Sequence, residues 1–195
     1  MSWFMNTFFI DDDGYKFQQI LLTQFDLKQH APTDIPRHEL YLFSDSNLQM
    51  SGWWKPLETA FESVEDYPDG EIPDLSKWVG ASMILSPRAF EALGEKLERC
   101  GELLPLKIDG STYYLFNCLT EGRIDEINSK PHKLGEEPSE PFTVAFNSED
   151  VRDKLVFKTK YDNCSSLYCT EELKQLVENH ELTGVSFVST RETQG

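Results

Sequence analysis

The sequence is short of basic side chains. Against 34 aspartates and glutamates stand only 18 lysines and arginines, a net charge of −16 at neutral pH. A surface that acidic repels phosphate backbones and anionic headgroups, which counts against nucleic acid or a membrane as a binding partner. Long apolar runs are also missing, and none approaches the ~20 residues of a bilayer span. The segment Trp3–Ile10 is apolar but has no basic stretch before it and runs straight into Asp11-Asp12-Asp13 with no small-residue cleavage site, so it does not read as a secretory signal. Cysteine is sparse and unpatterned. Cys100, Cys118, Cys164 and Cys169 include no pair with the two-residue gap of a zinc knuckle or redox motif. These features predict a cytoplasmic protein with free thiols.

Other absences narrow the chemistry. Neither glycine-rich phosphate pattern occurs, and Gly80-Ala81-Ser82 lacks the second glycine of a nucleophile elbow. His30, His38, His132 and His180 stand far apart, none at helical i, i+4 spacing with another. Asp11-Asp12-Asp13-Gly14 lacks the alternating oxygen ligands of a calcium loop and reads as a turn. No cofactor and no metal are expected.

What is present is enough for a folded chain. With 195 residues, 39% hydrophobic and 12% aromatic, it can bury a sizeable core without staples, and its aromatics argue against disorder. The acid is uneven: residues 1–75 hold 14 acidic and 4 basic side chains, residues 76–195 hold 20 and 14. The chain divides into an acidic N-terminal part, 1–75, of strands and irregular loops, and an α+β core, 76–195, together one compact unit.

Residues 3–10 predict a first strand and Leu40–Phe43 another. Residues 15–27 have mixed periodicity, open to strand or helix. Residues 44–76, with Pro56, Pro68 and Pro73, predict long connections and a short helix around 56–63. The clearest helix is 87–100: Ser86 caps it, Pro87 takes its first position, Phe90, Leu93, Leu97 and Cys100 form the stripe, and Gly101 ends it. Asp109-Gly110 between two apolar runs predicts a hairpin. Strands are expected at 142–146, 155–159 and 185–188, and a second main helix at 171–180. Hairpins without regular strand–helix alternation predict an α+β fold of mostly antiparallel sheet with two main helices.

Three groups of residues bear on function. Cys164 and Cys169 lie beside a helix N-terminus, which lowers a thiol pKa, and His180 offers a base; this is the case for a thiol-dependent hydrolase or transferase. Against it, Cys169 also reads as a small buried hydrophobe. Trp53-Trp54, placed on a strand, would turn one ring outward as a binding anchor; the alternative is that both pack inward. Finally, Glu58, Glu62, Glu65, Asp66, Asp69, Glu71 and Asp74 lie between Lys55 and Lys77 with no basic residue among them. That run is either solvated loop or a docking surface for a basic partner.

The C-terminal two thirds carries a recognisable order. Ile72-Pro73-Asp74 leads to an apolar stretch ending at Leu85-Ser86, then a helix, then Gly101-Glu102-Leu103-Leu104-Pro105-Leu106. Tyr113-Tyr114-Leu115-Phe116-Asn117 follows, then Leu155-Val156-Phe157-Lys158, the 170–180 helix, and Leu182-Thr183-Gly184-Val185-Ser186-Phe187. Over residues 70–188 this resembles immunity protein family 11 of bacterial polymorphic toxin systems, once catalogued as a domain of unknown function. The resemblance implies a non-enzymatic protein that binds and neutralises a cognate toxin acting in the cytoplasm. It transfers no catalytic residue and no contact residue. Trp53, Trp54, Glu58, Glu62, Glu65, Asp66, Asp69 and Glu71 are therefore the expected contacts with a toxin of basic surface, chosen on their own chemistry.

Overall fold

A computed structural model describes residues 5–13, 16–65, 67–129 and 144–190. It is an α+β fold of mostly antiparallel sheet, as the sequence predicts. The hairpin is where Asp109-Gly110 puts it: β7 (Gly101–Ile108) pairs antiparallel with β8 (Ser111–Cys118) along its whole length. Asp109 and Gly110 both take positive φ, 49° and 79°, the requirement of a tight two-residue turn. Three more strands complete the larger sheet in the order β3-β7-β8-β6-β5, where β3 is Leu57–Thr59, β5 is Leu75–Lys77 and β6 is Ser82–Leu85. Only β3 runs parallel to its neighbour.

The second sheet is ordered β11-β1-β10-β9. Its second strand comes from the far N-terminus. β1 (Thr7–Asp12) lies between β10 (Tyr168–Thr170) and β11 (Val185–Ser189), with β9 (Val156–Phe157) outside β10. The two main helices are α3 (Pro87–Leu97) and α5 (Glu171–Asn179). The Ser86 side chain accepts from Ala89 N–H at 3.1 Å to cap α3, and Lys96 reaches Glu172 across to α5 at 2.6 Å.

Both faces of the larger sheet are buried, and its residues alternate between two cores. Met83, Leu85 and Phe116 join α3, α5 and the second sheet, with Leu93, Leu97, Leu173 and Ile10. Ile84, Leu104, Leu106 and Leu115 face the other way, onto Leu22, Leu27, Leu40, Phe43 and Met50. The side-chain period of two thus divides adjacent residues between cores. A sheet covered on both faces reads as continuous apolar sequence, which is how residues 83–85 and 103–106 look. The cover over the second face comes mainly from residues before position 75, with Trp78 and Val79 packed against it.

Several local expectations are corrected. Leu40–Phe43 is not a strand but the junction of two short helices, α1 (Arg37–Tyr41) and α2 (Phe43–Ser46). Leu40 and Phe43, three apart, are buried while Leu42 between them is 59% exposed, a helical period that four residues alone could not separate from a strand. The helix expected at 56–63 is replaced by β3 and β4 (Phe61–Glu62), because sheet pairing outweighs weak local propensity. Asp11 and Asp12, read as turn, extend β1, and Gly14 lies outside the described residues. Helix α3 stops at Leu97, three residues early, and Gly101 opens β7 instead of capping it: a Cβ there would sit 2.1 Å from the Asn117 carbonyl oxygen. Of the strand expected at 142–146, residues 142 and 143 lie outside the described residues and Phe146 makes a single bridge to Ile124. Val156 and Phe157 alone form a strand within 155–159.

Candidate partner-binding site

The acidic run folds into a ribbon. Residues 16–21 pair with 60–71 through Glu71 N–H to Lys16 O (3.2 Å), Gln18 N–H to Glu71 O (2.9 Å) and Leu21 N–H to Ala60 O (2.9 Å). The Gln18 side-chain amide adds a bond to Gly70 O at 3.0 Å. At its centre β2 (Gln19–Ile20) pairs with β4, Gln19 opposite Glu62 and Ile20 opposite Phe61. Tyr67 N–H to Val64 O, at 2.8 Å, closes the turn.

Glu62, Glu65, Asp69 and Glu71 are all exposed on this ribbon, Glu58 is exposed on β3 just before it, and Asp66 lies outside the described residues. Among the described residues none of these five carboxylates enters an ion pair. Acids elsewhere do: Asp74 pairs with Arg88, Asp150 with Lys154 and Asp45 with Lys160. Glu58 sits opposite Lys107 in the β3–β7 register, but that ammonium donates to Thr112 Oγ1 at 2.7 Å instead. Apolar groups stand among the acids. Leu21, Phe25, Tyr67 and Ile72 are 47, 52, 42 and 45% exposed, so four of the seven large exposed hydrophobics among the described residues belong to the ribbon or its flanks. Beside it opens a cleft of about 540 Å³ lined by Phe17, Ile20, Leu22, Phe25, Lys77 and Trp78. Trp78 is fixed there by its indole N–H, which donates to Leu22 O at 2.7 Å, and by stacking on Phe43 at 5.8 Å.

No protein-family model matches this chain, and no curated protein does.

Trp53 and Trp54 lie at the end of a turn, not on a strand, so the strand geometry from which one outward ring was expected is absent. The buried Glu102 carboxylate accepts from Met50 N–H (2.6 Å), Ser51 N–H (2.9 Å) and the Asn117 amide (2.9 Å), and so pins the turn to β7 and β8. Trp54 donates its indole N–H to Pro105 O at 2.8 Å. Both rings are half-buried against the second core, and the Trp53 Nε1 is a buried donor with no acceptor among the described residues. The structure thus places Glu62, Glu65, Asp69 and Glu71 on one ribbon and Glu58 on the sheet strand that leads into it, and gives the tryptophans bracing contacts in the loop before them.

The thiols have the character of core residues. Cys164 and Cys169 are fully buried, and burial pushes both pKa values up, against the thiolate that nucleophilic attack needs. Cys118 is raised in the same way, to about 12. His180 ends α5 while Cys169 precedes it, so a nine-residue helix, about 14 Å long at 1.5 Å per residue, separates base from thiol. Among the described residues no three His, Cys, Asp or Glu side chains gather as metal ligands.

One buried charge was not read from the sequence. Lys158 has no exposed surface and donates to Ser44 O at 2.5 Å. Burial lowers its pKa. Ser44 Oγ meanwhile accepts from Ala81 N–H at 3.0 Å, so this one residue ties the N-terminal helices to both sheets. No local period marked Lys158, since residues 155–159 are all buried.

Proposed function

We propose that this chain is an immunity protein: a non-enzymatic binding protein that captures and neutralises a cognate bacterial toxin in the cytoplasm through the acidic ribbon. The observation that carries this reading is the set of five exposed carboxylates, in no ion pair among the described residues, together with the exposed Leu21, Phe25, Tyr67 and Ile72. Exposed apolar side chains ringed by one sign of charge make a surface suited to a protein partner of the opposite charge: the apolar groups supply buried area and the acids steer encounter. The excess of acid over base across the whole chain adds long-range attraction for a basic partner. The resemblance of residues 70–188 to the immunity family supports the toxin as that partner. No helix among the described residues is long and apolar enough to cross a membrane.

The test is capture. The tagged protein, purified from its source cell, is expected to retain one toxin-like protein in stoichiometric amount through a moderate-salt wash, identified by mass spectrometry. With Glu62, Glu65 and Glu71 changed to Lys, the association rate with that protein should fall at least ~10-fold while the fold is kept. Cells shown to make a neighbouring toxin but yielding an empty column would overturn the proposal.

A further inference from the structure

The cleft beside the ribbon is a slot with two closed ends. Segments 16–24 and 70–79 run side by side in the same direction, meet at both ends and part between them. At one end Phe17 bridges Glu71 in parallel: Glu71 N–H donates to Lys16 O at 3.2 Å and Gln18 N–H to Glu71 O at 2.9 Å. The approach there is close, since a Cβ on Gly70 would stand 3.1 Å from the Phe17 carbonyl carbon. At the other end the Trp78 indole N–H reaches Leu22 O at 2.7 Å. Among the described residues no hydrogen bond joins 19–21 to 72–77. The gap encloses about 540 Å³, within the ~300–1,000 Å³ typical of ligand clefts. Its walls are apolar: Phe17, Ile20, Leu22, Phe25, Trp78 and Val79. The single polar atom of Trp78 is committed to Leu22, so its ring offers only apolar surface.

The rim is acidic. Asp12 lines the slot, Asp11 and Asp13 flank it in sequence, and Asp13 N–H donates to the lining Gly184 O at 3.1 Å. Glu71 pairs with Phe17, and Asp26 Oδ2 holds the lining Thr23 by two bonds of 2.8 Å. Against these acids stand Lys16 and Lys77. The Lys77 ammonium is already held, 3.9 Å from Asp11 Oδ1 and 4.7 Å from the centre of the Phe9 ring. We propose that the slot takes an aromatic side chain of the partner protein, carried on a segment where lysine or arginine flanks it. This rests on the reading of the ribbon as the partner face and adds a grip to the steering. A ring entering the slot meets the rings of Phe17, Phe25 and Trp78, and aromatic anchors in such pockets supply most of the energy of an interface. The flanking cations stay outside, against the rim acids. A lysine or arginine inserted whole would bring its charge among apolar walls, where Asp12 is the one acid lining the slot and its Oδ1 already accepts the Lys77 N–H at 2.9 Å.

The experiment is an NMR titration of the full chain with three end-blocked peptides: Gly-Lys-Phe-Lys-Gly, Gly-Lys-Ala-Lys-Gly and Gly-Glu-Phe-Glu-Gly. Saturable shifts are expected with the first at the Ile20 and Val79 amides and the Trp78 indole N–H, with affinity on the order of millimolar for so small a probe. Loss of the ring or reversal of the flanking charge should each weaken binding at least ~10-fold. Gln19→Trp, at an exposed position lining the slot, fills its mouth and should abolish the shifts. Asp12→Asn keeps an acceptor for Lys77 N–H, removes one rim charge and should weaken the first peptide ~3-fold; it decides the matter if Gln19→Trp does not fold. No saturable shift, equal binding of the Phe and Ala peptides, or binding unchanged in both variants overturns the proposal. Capture from the source cell separates this proposal from the immunity reading. A toxin-like protein retained equally by the parent and by Gln19→Trp leaves that reading standing and sinks the slot as its grip. If neither retains a partner, the immunity reading falls and the peptides alone decide the slot.

Discussion

At the scale of single residues, buried polar groups hold this molecule to one arrangement. Glu102 accepts three N–H donors, two of them from the backbone at Met50 and Ser51. Replacing it with Ala leaves those donors buried without an acceptor, at a cost of about 3 kcal/mol. Urea denaturation of Glu102→Ala should show that loss, with Trp53 and Trp54 reporting a loosened turn by fluorescence; an unchanged midpoint would remove Glu102 from this role. Cys118 sets a pH dependence. Its thiol rises from the ordinary 9.0 to about 12, chiefly by burial. The native state therefore keeps a proton that the unfolded chain releases first. The stability this provides is complete below pH 9.0 and is lost as pH climbs toward about 12. Cys118→Ala should lose stability less steeply than the parent across that window in urea titrations at stepped pH. Parallel curves would show that the thiol does not contribute.

At the scale of elements, those with local signals were legible in the sequence and those built by distant pairing were not. Helix α3 was legible because its signals are local: a Ser86 cap, Pro87 at the first position and apolar residues one turn apart. The cap is a real bond, so Ser86→Ala should cost about 1 kcal/mol, and more if the hydroxyl's bond to Asp74 Oδ1 at 2.8 Å also counts. A thermal midpoint unmoved within error would show a cap without energetic weight. The hairpin was legible for a similar reason, since Asp-Gly selects its turn. By contrast α1 and α2 are five and four residues long, too short for periodicity to show, and exist because Leu40 and Phe43 dock on the sheet. The two-residue strands β2 and β4 depend on pairing Gln19 with Glu62 and Ile20 with Phe61, which no local pattern encodes. The acidic ribbon was half legible. Its charges were visible as a run without lysine or arginine, but the segment 16–21, with β2 at its centre, that aligns them, and the exposed Phe25 beside them, were not.

At the scale of the whole molecule, the boundary near residue 75 is one of composition more than of folding. Strand β1 lies inside the C-terminal sheet, and Leu22, Leu27, Leu40, Phe43 and Met50 cover a face of the larger one. The fragment 76–195 would expose Ile84, Leu104, Leu106 and Leu115 at about 1.5–3 kcal/mol each, comparable in sum to the stability of a typical domain. It is expected to lack near-UV dichroism and to aggregate, whereas a folded, soluble fragment would make the N-terminal part an appendage. The sequence by itself determined the acidity, the α+β class, the main helices and the hairpin, because each depends on composition or on residues within a few positions of one another. Only the tertiary structure decided that the tryptophans brace a turn, that the thiols are sealed in the core, and which acids share a surface. Those outcomes depend on which distant segments meet, and the free energy of such meetings is held by the contacts between segments, not within either of them.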